Sequence, residues 1–164
     1  MKAVACFQKV SFEEFSHHFD DPEVAGAAYG VIRIPTRATV GSAGYDFVTP
    51  VAIRLQPGQS ALIPTGIRAK IEEGWVLQIF PKSGLGFRFR LQLDNTVGII
   101  DQDYYNSDNE GHIMVKLTCD AKSDTTFSLS AGKAFVQGIF LPFGITADDD
   151  AFGVRNGGFG STGR

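Results

Sequence analysis

Residues 61–80 read ALIPTGIRAKIEEGWVLQIF, and this stretch decides the fold class. It holds three short apolar runs, which are separated by the turn signals Pro64-Thr65-Gly66 and Glu72-Glu73-Gly74. The runs alternate apolar and polar side chains in places, as a strand with one buried face does. Short strands with Gly and Pro between them are typical of sandwiches, jelly rolls and barrels. The stretch therefore predicts an all-β body.

The same pattern continues on both sides of this stretch. Further runs of strand type lie at 31–34, 47–48, 52–55, 91–93, 113–118, 126–129 and 134–141. Glycine supplies 19 of the 164 residues, or about 12% against a usual ~7%, which agrees with many tight turns. Residues 144–164 are polar and rich in glycine. We predict one domain at 1–143 and an extended arm at 144–164.

One segment near the start of the chain has the signature of a helix. Ser11 and Glu14 have the spacing of a capping box, in which each side chain binds the other residue's backbone N–H. Apolar side chains then recur at helical spacing, at Phe12, Phe15 and Phe19. This stripe predicts one short helix over about 11–19, which packs on the core or on another subunit and ends at Asp21-Pro22.

The charge and the cysteine content indicate which partners the protein does not bind and in which compartment it works. The net charge is −3 at pH 7 and the pI is about 5.5. These values argue against nucleic acid and anionic membranes as partners, because both bind basic surfaces. No apolar run approaches the ~18 residues of a membrane-spanning helix. Cys6 and Cys119 stand alone, so we expect two free thiols in a reducing cytoplasm.

The segment Pro81-Lys82-Ser83-Gly84-Leu85-Gly86 follows a strongly apolar run. Lys82 offers a positive charge and Ser83 a hydroxyl, while the two glycines permit close approach of the backbone. This combination suits a phosphate. It is not a Walker A loop, since Pro81 stands where that loop requires glycine. A plain corner between a strand and a turn is the alternative.

The segment 94–104 combines carboxylates with an aromatic ring. An apolar run at 97–100 leads to Asp101 at the point where the chain turns. Apolar neighbours can shift the pKa of a carboxylate, which suits a general base. Tyr104 offers a ring beside it. The alternative is a hairpin with acidic residues in its turn.

Weaker signals accompany these segments. Asp46 follows the turn at 42–45 and can hold a hydrated cation. Gln137 is polar within an apolar strand, and Arg155 suits bidentate binding of a phosphate. The histidines lack the spacing of a metal site, so zinc is not expected; they are His17, His18 and His112.

The sequence closes with Gly157-Gly158-Phe159-Gly160-Ser161-Thr162-Gly163-Arg164. Glycine and hydroxyl residues leave backbone N–H groups free to surround an anion, and Phe159 offers a flat face for a base. The spacing at 158–163 matches the dinucleotide fingerprint G-x-G-x-x-G, but that fingerprint opens a helix and none follows here. An unstructured tail is the alternative.

Taken in order, these segments resemble the five motifs of the homotrimeric dUTP pyrophosphatase (dUTPase) family. The matching stretches are 43–47, 81–86, 98–104, 132–137 and 157–163. They stand in the family's order across nearly the whole chain, which makes the resemblance specific. It implies a distorted jelly-roll β-barrel that forms a homotrimer with shared active sites. It also implies hydrolysis of dUTP to dUMP and pyrophosphate with Mg²⁺, which removes dUTP and supplies dUMP.

The resemblance further implies a role for each matching residue. Asp101 would activate a water for attack on the α-phosphorus, Tyr104 would stack under the deoxyribose and leave no room for a 2′-hydroxyl, and Asp46 would act on Mg²⁺ through water. Uracil would be read by Asn95 and by a hairpin of Gly98, Ile99 and Ile100 with Met114, and covered by Phe159. The phosphates would be held by Lys82, Ser83, Gly84 and Gln137. From the closing tail, Arg155, Ser161 and Thr162 would reach the β- and γ-phosphates, and Gly160 would also bind the substrate.

Departures from the family pattern are also visible. Lys82 stands in place of the usual Arg, and Arg155 lies one residue closer to the Gly-Gly pair. After Tyr104 the family hairpin turns at once through Arg-Gly, whereas here residues 105–110, called the insertion below, precede Gly111. Two alternatives stay open: dCTP deaminase, which shares the trimeric fold, and a dUTPase body that also binds a protein through the insertion or the N-terminal helix.

Overall fold

A computed structural model of the chain describes residues 2–153, and twelve β-strands dominate this part. The strands are β1 Ala5–Lys9, β2 Thr36–Arg37, β3 Tyr45–Val48, β4 Ile53–Leu55, β5 Ser60–Pro64, β6 Ile67–Ile71, β7 Trp75–Pro81, β8 Leu91–Leu93, β9 Gly98–Ile100, β10 Met114–Cys119, β11 Phe127–Leu129 and β12 Ala134–Pro142. The helices are α1 Phe12–Ser16, α2 Pro22–Val31 and α3 Ser83–Phe89, with a 3-10 helix at Gln102–Asn106. The predicted all-β body is confirmed.

Within residues 2–153 the strands form four antiparallel sheets. The largest has the order β2-β3-β12-β7-β9, and a second has the order β5-β10-β8. Strand β1 pairs with β6, and β11 pairs with β4. Many partners lie far apart in sequence, so the arrangement depends on crossovers between sheets more than on consecutive hairpins.

One hydrophobic core draws side chains from every sheet. Strand β6 shows how the pleat sorts them, because Ile67, Ala69 and Ile71 are buried while Lys70 is exposed. Leu77 of β7 and Phe135 of β12 are fully buried beside them in this core. Each buried Ile, Leu or Phe side chain of this core stabilises the fold by roughly 1.5–3 kcal/mol.

The N-terminal helix begins as the capping signal predicts but is shorter than expected. The Glu14 backbone N–H donates to Ser11 Oγ at 3.1 Å, and α1 ends at Ser16. Phe15 is fully buried, while Phe12 remains 44% exposed. The predicted packing of this helix on the core is therefore confirmed through Phe15.

A second N-terminal helix replaces a predicted strand. Asp21-Pro22 marks the start of α2 and not merely the end of α1, since the Asp21 carboxylate accepts from the Glu23 backbone N–H at 2.8 Å and Pro22 occupies the first turn. The strand predicted at 31–34 is wrong, because Val31 completes α2. The expectation of a single short helix is wrong for the same reason.

A third helix corrects the expectation of a plain corner after β7. Lys82 holds the N-cap position of α3, and its carbonyl accepts from the backbone N–H groups of Leu85 and Gly86. The helix stops at Arg90, whose φ of 51° is the left-handed conformation that commonly terminates helices. The phosphate-type segment is thus a strand end joined directly to a helix start.

Two further predictions concern the extended arm and the absence of a membrane-spanning helix. Residues 144–153 contain neither helix nor strand and are exposed throughout. The division into a domain and an arm stays a prediction. Among the helices within residues 2–153, none combines the length and apolar character that crossing a membrane requires.

Candidate active site

A cavity of about 400 Å³ lies beside strand β9. Its volume falls in the range of small-molecule sites. The lining residues are Ile79, Leu93, Asp94, Asn95, Gly98, Ile99, Ile100, Tyr104, Met114, Val115 and Lys116. The structure therefore brings together six of the seven residues that were expected to contact the base or sugar, namely Asn95, Gly98, Ile99, Ile100, Tyr104 and Met114; the seventh, Phe159, lies outside the described residues.

Strand β9 contributes its backbone to the cavity wall. It pairs with β7 along one edge, and within residues 2–153 no strand pairs with its other edge. An unpaired strand edge presents N–H and C=O groups that can bind a ligand. A Cβ added to Gly98 would lie 3.1 Å from Ile79 Cβ, so glycine permits the close approach of β9 and β7.

The predicted hairpin between β9 and Met114 is wrong. Met114 begins β10, which pairs with β5 and β8 in the second sheet. Strands β9 and β10 instead line the same cavity from different sheets. The resemblance to the family implied a hairpin, but the insertion and the 3-10 helix separate the two strands.

An ion pair that the sequence did not indicate lies at the cavity. The Asp94 carboxylate accepts from Thr118 Oγ1 and lies 3.0 Å from Lys116 Nζ. The hydrogen bond from Thr118 is the main reason that the pKa of Asp94 lies below its usual value; burial opposes this shift and Lys116 adds to it. The alternation of β10 marks Lys116 as outward-facing, but no local signal shows that this face borders a cavity.

Tyr104 is buried and stands where the 3-10 helix meets the cavity. Its hydroxyl donates to the His112 carbonyl at 2.7 Å and accepts from Asn109 Nδ2 at 2.8 Å. Asn109 belongs to the insertion and was not among the predicted site residues. The insertion therefore supports a cavity residue from behind.

The insertion is bound to the rest of the molecule by a cationic side chain of β6. Arg68 donates from Nη2 to the Tyr105 carbonyl at 2.7 Å, and its guanidinium lies 3.7 Å from the centre of the Tyr105 ring. Arg68 Nη1 also lies 3.7 Å from the Glu110 carboxylate. Asn106 and Asp108 remain exposed. Protein binding through the insertion stays a prediction.

Glu110 also joins the insertion to α1. Its carboxylate accepts from the Ser11 backbone N–H at 2.8 Å and from Ser11 Oγ at 2.5 Å. Burial acts to raise the pKa of Glu110, but the hydrogen bonds from Ser11 and the charges of Arg68 and His112 outweigh it and hold that pKa below its usual value.

His112, directly after the insertion, is fully buried. Its Nε2 accepts from the Gly66 backbone N–H at 2.9 Å, and its Nδ1 lies 3.2 Å from Glu14 Oε1. Burial lowers the pKa of His112 to about 4, against the opposing effect of Glu14. Since Nε2 accepts a hydrogen bond, the neutral ring carries its proton on Nδ1 and donates it to Glu14.

A second group of predicted site residues lies at the junction of β7 and α3. Lys82 Nζ lies 2.6 Å from Asp46 Oδ1, and both side chains are about one-third exposed or less. Gln137 Nε2 donates to the Pro81 carbonyl at 3.4 Å. A Cβ on Gly44 would lie 2.5 Å from Gln137 Oε1, so glycine makes room for this amide.

The two groups occupy different parts of the largest sheet. Asp46 pairs with Gln137, and Gln137 pairs with Phe80. The neighbouring Ile79 pairs with Gly98. Three strand spacings of about 4.8 Å separate the Cα atoms of Asp46 and Gly98, or roughly 14 Å in total. Two strands, β12 and β7, thus stand between Asp46 and the cavity-lining Gly98.

The remaining predicted residues divide by position. Asp101 is half-buried and follows β9 at the start of the 3-10 helix. Ser83 and Gly84 are exposed in the first turn of α3. Five predicted residues lie outside the described residues: Arg155, Phe159, Gly160, Ser161 and Thr162.

Two places in the described residues offer side-chain atoms that could bind a metal ion. Glu14, His18 and His112 bring one ligand atom each within 4.8 Å of one another. His112 is unsuited to this use, because its Nδ1 carries the proton while Nε2 is occupied by Gly66. Asp46 is an oxygen donor, and Mg²⁺ commonly takes one or two carboxylates plus waters and substrate phosphates. The chemistry of Asp46 therefore fits a hydrated Mg²⁺.

Architecture and cavity together define a jelly-roll protein with a site for a small ligand. A family model described as dUTPase matches residues 31–163. The chain belongs to the dUTPase family. Deoxyuridine 5′-triphosphate nucleotidohydrolase of Lactococcus lactis is 42% identical over 136 residues, which cover 80% of this chain and 89% of that protein. The Tolumonas auensis protein of the same name is 39% identical over 139 residues, covering 80% and 87%.

Solved structures agree with this assignment. The crystal structure of Streptococcus mutans dUTPase has a TM-score of 0.64 and 33% identity, and covers 85% of this chain and 97% of that one. A Staphylococcus bacteriophage 80alpha dUTPase structure shares the fold with a TM-score of 0.68 at 18% identity, covering 99% and 100%. The predicted jelly roll is confirmed. Residues 1–30 lie outside the match to the family model.

Proposed function

We propose that this protein hydrolyses dUTP to dUMP and pyrophosphate. The observation that carries the proposal is the cavity in which an open strand edge, Asn95 and the ring of Tyr104 converge. Family membership supports the same reaction class and disfavours deamination of dCTP. The reaction removes dUTP and provides dUMP.

The nucleoside half of the substrate suits the cavity. The outer edge of β9 offers backbone N–H and C=O groups, which can match the donor and acceptor groups of uracil. Met114 and Ile100 supply apolar surface against the base. We assign Tyr104 to the deoxyribose, where its ring leaves no space for a 2′-hydroxyl. Phe159 would cover the base from the tail.

The triphosphate suits the second group of residues. Lys82 provides positive charge, and the first backbone N–H groups of α3 at Ser83 and Gly84 are not used inside the helix. Gln137 lies beside them through its bond to the Pro81 carbonyl. From the tail, Arg155, Ser161 and Thr162 would add contacts to the outer phosphates, next to Gly160.

Asp101 is the residue that we assign as general base. It would take a proton from the water that attacks the α-phosphorus, so that the bond to the bridging oxygen breaks and pyrophosphate leaves. Mg²⁺, when bound, neutralises phosphate charge as the reaction proceeds. Asp46 would hold a water of that ion. Its pair with Lys82 would open as the phosphates draw Lys82 toward them.

Assembly into a homotrimer would complete the site. On one chain the Cα atoms of Asp46 and of the cavity-lining Gly98 lie roughly 14 Å apart, with two strands between them. Neighbouring chains in a trimer would bring the cavity of one against Asp46 and Lys82 of another, with the tail from a third. The free thiols of Cys6 and Cys119 agree with a reducing, cytoplasmic setting.

The decisive experiment measures pyrophosphate release from dUTP, dCTP, dTTP and UTP in parallel, with and without Mg²⁺. We expect turnover of dUTP alone at low substrate concentration, and dependence on the metal. Asp101→Asn should lose turnover by orders of magnitude while still binding dUTP. The matched control is Asp108→Asn at an exposed position of the insertion. Ammonia release from dCTP, or normal turnover by Asp101→Asn, would refute the proposal.

A truncation tests the tail separately. Deleting residues 157–164 should cripple turnover but leave a folded trimer, because the hydrophobic core described above is formed by residues between Val10 and Val136. Size-exclusion chromatography with light scattering reports the assembly. A monomer after deletion would show that the tail is structural instead.

A further inference from the structure

We propose that Asn109 is a positioning residue that sets where the Tyr104 ring stands in the cavity, and thereby how strictly the enzyme selects deoxyribonucleotides. This inference rests on the proposed function. Asn109 belongs to the insertion, which departs from the family pattern. It does not line the cavity itself.

Three hydrogen bonds, two of them made by this side chain, link Gly111, Asn109, Tyr104 and His112 in one consistent direction. The Gly111 backbone N–H donates to Asn109 Oδ1 at 3.2 Å, which leaves Nδ2 to face Tyr104. Nδ2 then donates to the Tyr104 hydroxyl, and that hydroxyl donates to the His112 carbonyl. Each of these donors meets an acceptor, so neither the amide nor the hydroxyl can reverse without losing a bond.

The chain carrying Asn109 is itself held in place. The Asn109 carbonyl accepts from the His112 backbone N–H at 2.9 Å. Its neighbour Glu110 is bound to Ser11 and faces Arg68. The amide therefore projects from a segment that is fixed through the Asn109 carbonyl and the Glu110 side chain, and it can transmit this position to the ring.

Tyr104 has need of such support. It lies in a five-residue 3-10 helix, Gln102–Asn106, and helices of this type have poorer hydrogen-bond geometry than α-helices. The hydroxyl lies behind the cavity-lining part of the side chain, since its partners come from residues that do not line the cavity. A small rotation at the hydroxyl would therefore move the ring edge that faces the sugar.

Replacing Asn109 with aspartate is the sharpest test. The Asn109→Asp side chain would keep the size of the original and the acceptor for Gly111, but it has no N–H to donate, so the Tyr104 hydroxyl can bond to it only by giving up its bond to the His112 carbonyl. The matched control is Asn106→Asp, which adds the same charge at an exposed position of the same insertion. The quantity measured is the ratio of kcat/KM for dUTP to kcat/KM for UTP, with the full-length protein.

We expect Asn109→Asp to lower this ratio by about threefold to tenfold, the range for loss of one hydrogen bond, while Asn106→Asp leaves it unchanged. Tyr104→Phe should lower it similarly. Because Asn109 acts through the hydroxyl, the double variant should show no further loss. Asn109→Ala supplies a second variant without added charge if the aspartate variant does not fold.

The possible outcomes distinguish a failure of the proposed function from a failure of the role assigned to Asn109. If wild-type enzyme turns over no nucleotide, the proposed function fails and this inference with it. If wild-type enzyme hydrolyses dUTP and both Asn109 variants keep its selectivity, only the inference is overturned. A lower melting temperature with unchanged selectivity would also overturn it, since that result describes a purely structural residue.

Discussion

Glu110 completes the cap of a helix that begins 99 positions earlier, at Ser11. In a capping box the third residue of the helix returns to the cap's backbone N–H, and Glu14 has that position. Here Glu110 accepts from this N–H instead, and the Glu14 carboxylate contacts His112. The N-terminal segment and the insertion are therefore bound together by two crossed carboxylate contacts.

This arrangement predicts that Glu110 stabilises the fold. Glu110→Gln removes the charge from two hydrogen bonds to Ser11 and from the pair with Arg68, and we expect a loss of about 1–2 kcal/mol in the free energy of unfolding. Urea denaturation measures it. Glu13→Gln, at an exposed position of the same helix, is the control. Equal midpoints for both variants would contradict the prediction.

His112 predicts a pH dependence of stability. Its pKa is about 4 in the folded protein, while an unfolded histidine titrates near ~6.5. Between these values the unfolded chain binds the extra proton, so stability is complete above about pH 6.5 and falls as the pH drops toward 4. A pKa difference of this size corresponds to a change on the order of 3 kcal/mol in the free energy of unfolding.

Urea titrations at several pH values test this dependence. His112→Gln should be less stable than wild type near neutral pH but should lose less stability between pH 6.5 and 4. His17→Gln alters an exposed histidine on the same side of the molecule and should retain the wild-type slope. Identical slopes for wild type and His112→Gln would exclude His112 as the source.

Gly111 predicts a steric requirement at the end of the insertion. Its φ is 70°, and a Cβ there would lie 2.6 Å from the Tyr104 carbonyl oxygen and 2.7 Å from Tyr105 Cα. Gly111→Ala should lower the free energy of unfolding by at least about 2 kcal/mol more than Gly74→Ala does. Gly74 also has a positive φ, of 77°, but no neighbour lies within 4 Å of a Cβ placed there. Chemical denaturation of both variants compares them, and similar losses would show that φ alone matters.

The ion pair between Asp46 and Lys82 predicts a functional effect with little change in stability. Partly exposed pairs contribute only about 0–1 kcal/mol. We therefore expect Asp46→Asn to keep the wild-type melting temperature but to require several-fold more Mg²⁺ for half-maximal turnover. Asp120→Asn, which breaks the exposed pair with Arg90, is the control. An unchanged Mg²⁺ requirement in Asp46→Asn would remove Asp46 from the metal site.

Local signals explain most of the predictions that succeeded. Alternation and turn residues identified most strands of the body, although not β1 or β2, and the Ser11 cap identified the start of α1. Such features depend on spacing over a few residues, which is visible in the sequence. The resemblance to the dUTPase family, rather than a local signal, implied that Asn95, Gly98 and Tyr104 share one site, and they line one cavity.

The failures have a different physical origin. Asp21-Pro22 serves equally to end one helix and to start another, so sequence alone did not distinguish α2 from a loop leading to a strand. The region after Lys82 has two glycines, which usually disfavour a helix, yet α3 forms and its Leu85 and Phe89 pack against the hydrophobic core. Met114 lies close to β9 in sequence, but pairing across sheets decides its partner.

The sequence by itself determined the all-β class, the order of the motifs and the residue types of a nucleotide site, because these follow from local patterns of polarity, glycine and charge. Only the tertiary structure decided that Glu110 caps Ser11, that Asn109 holds Tyr104, and that Lys116 borders the cavity. Glu110 and Ser11 are 99 positions apart, and the cavity that Lys116 borders is lined by residues of several strands, so tertiary packing decides both. Asn109 and Tyr104 are only five positions apart, but how the insertion folds decides that their side chains meet. That is why the support of the site, unlike its composition, became visible only in the fold.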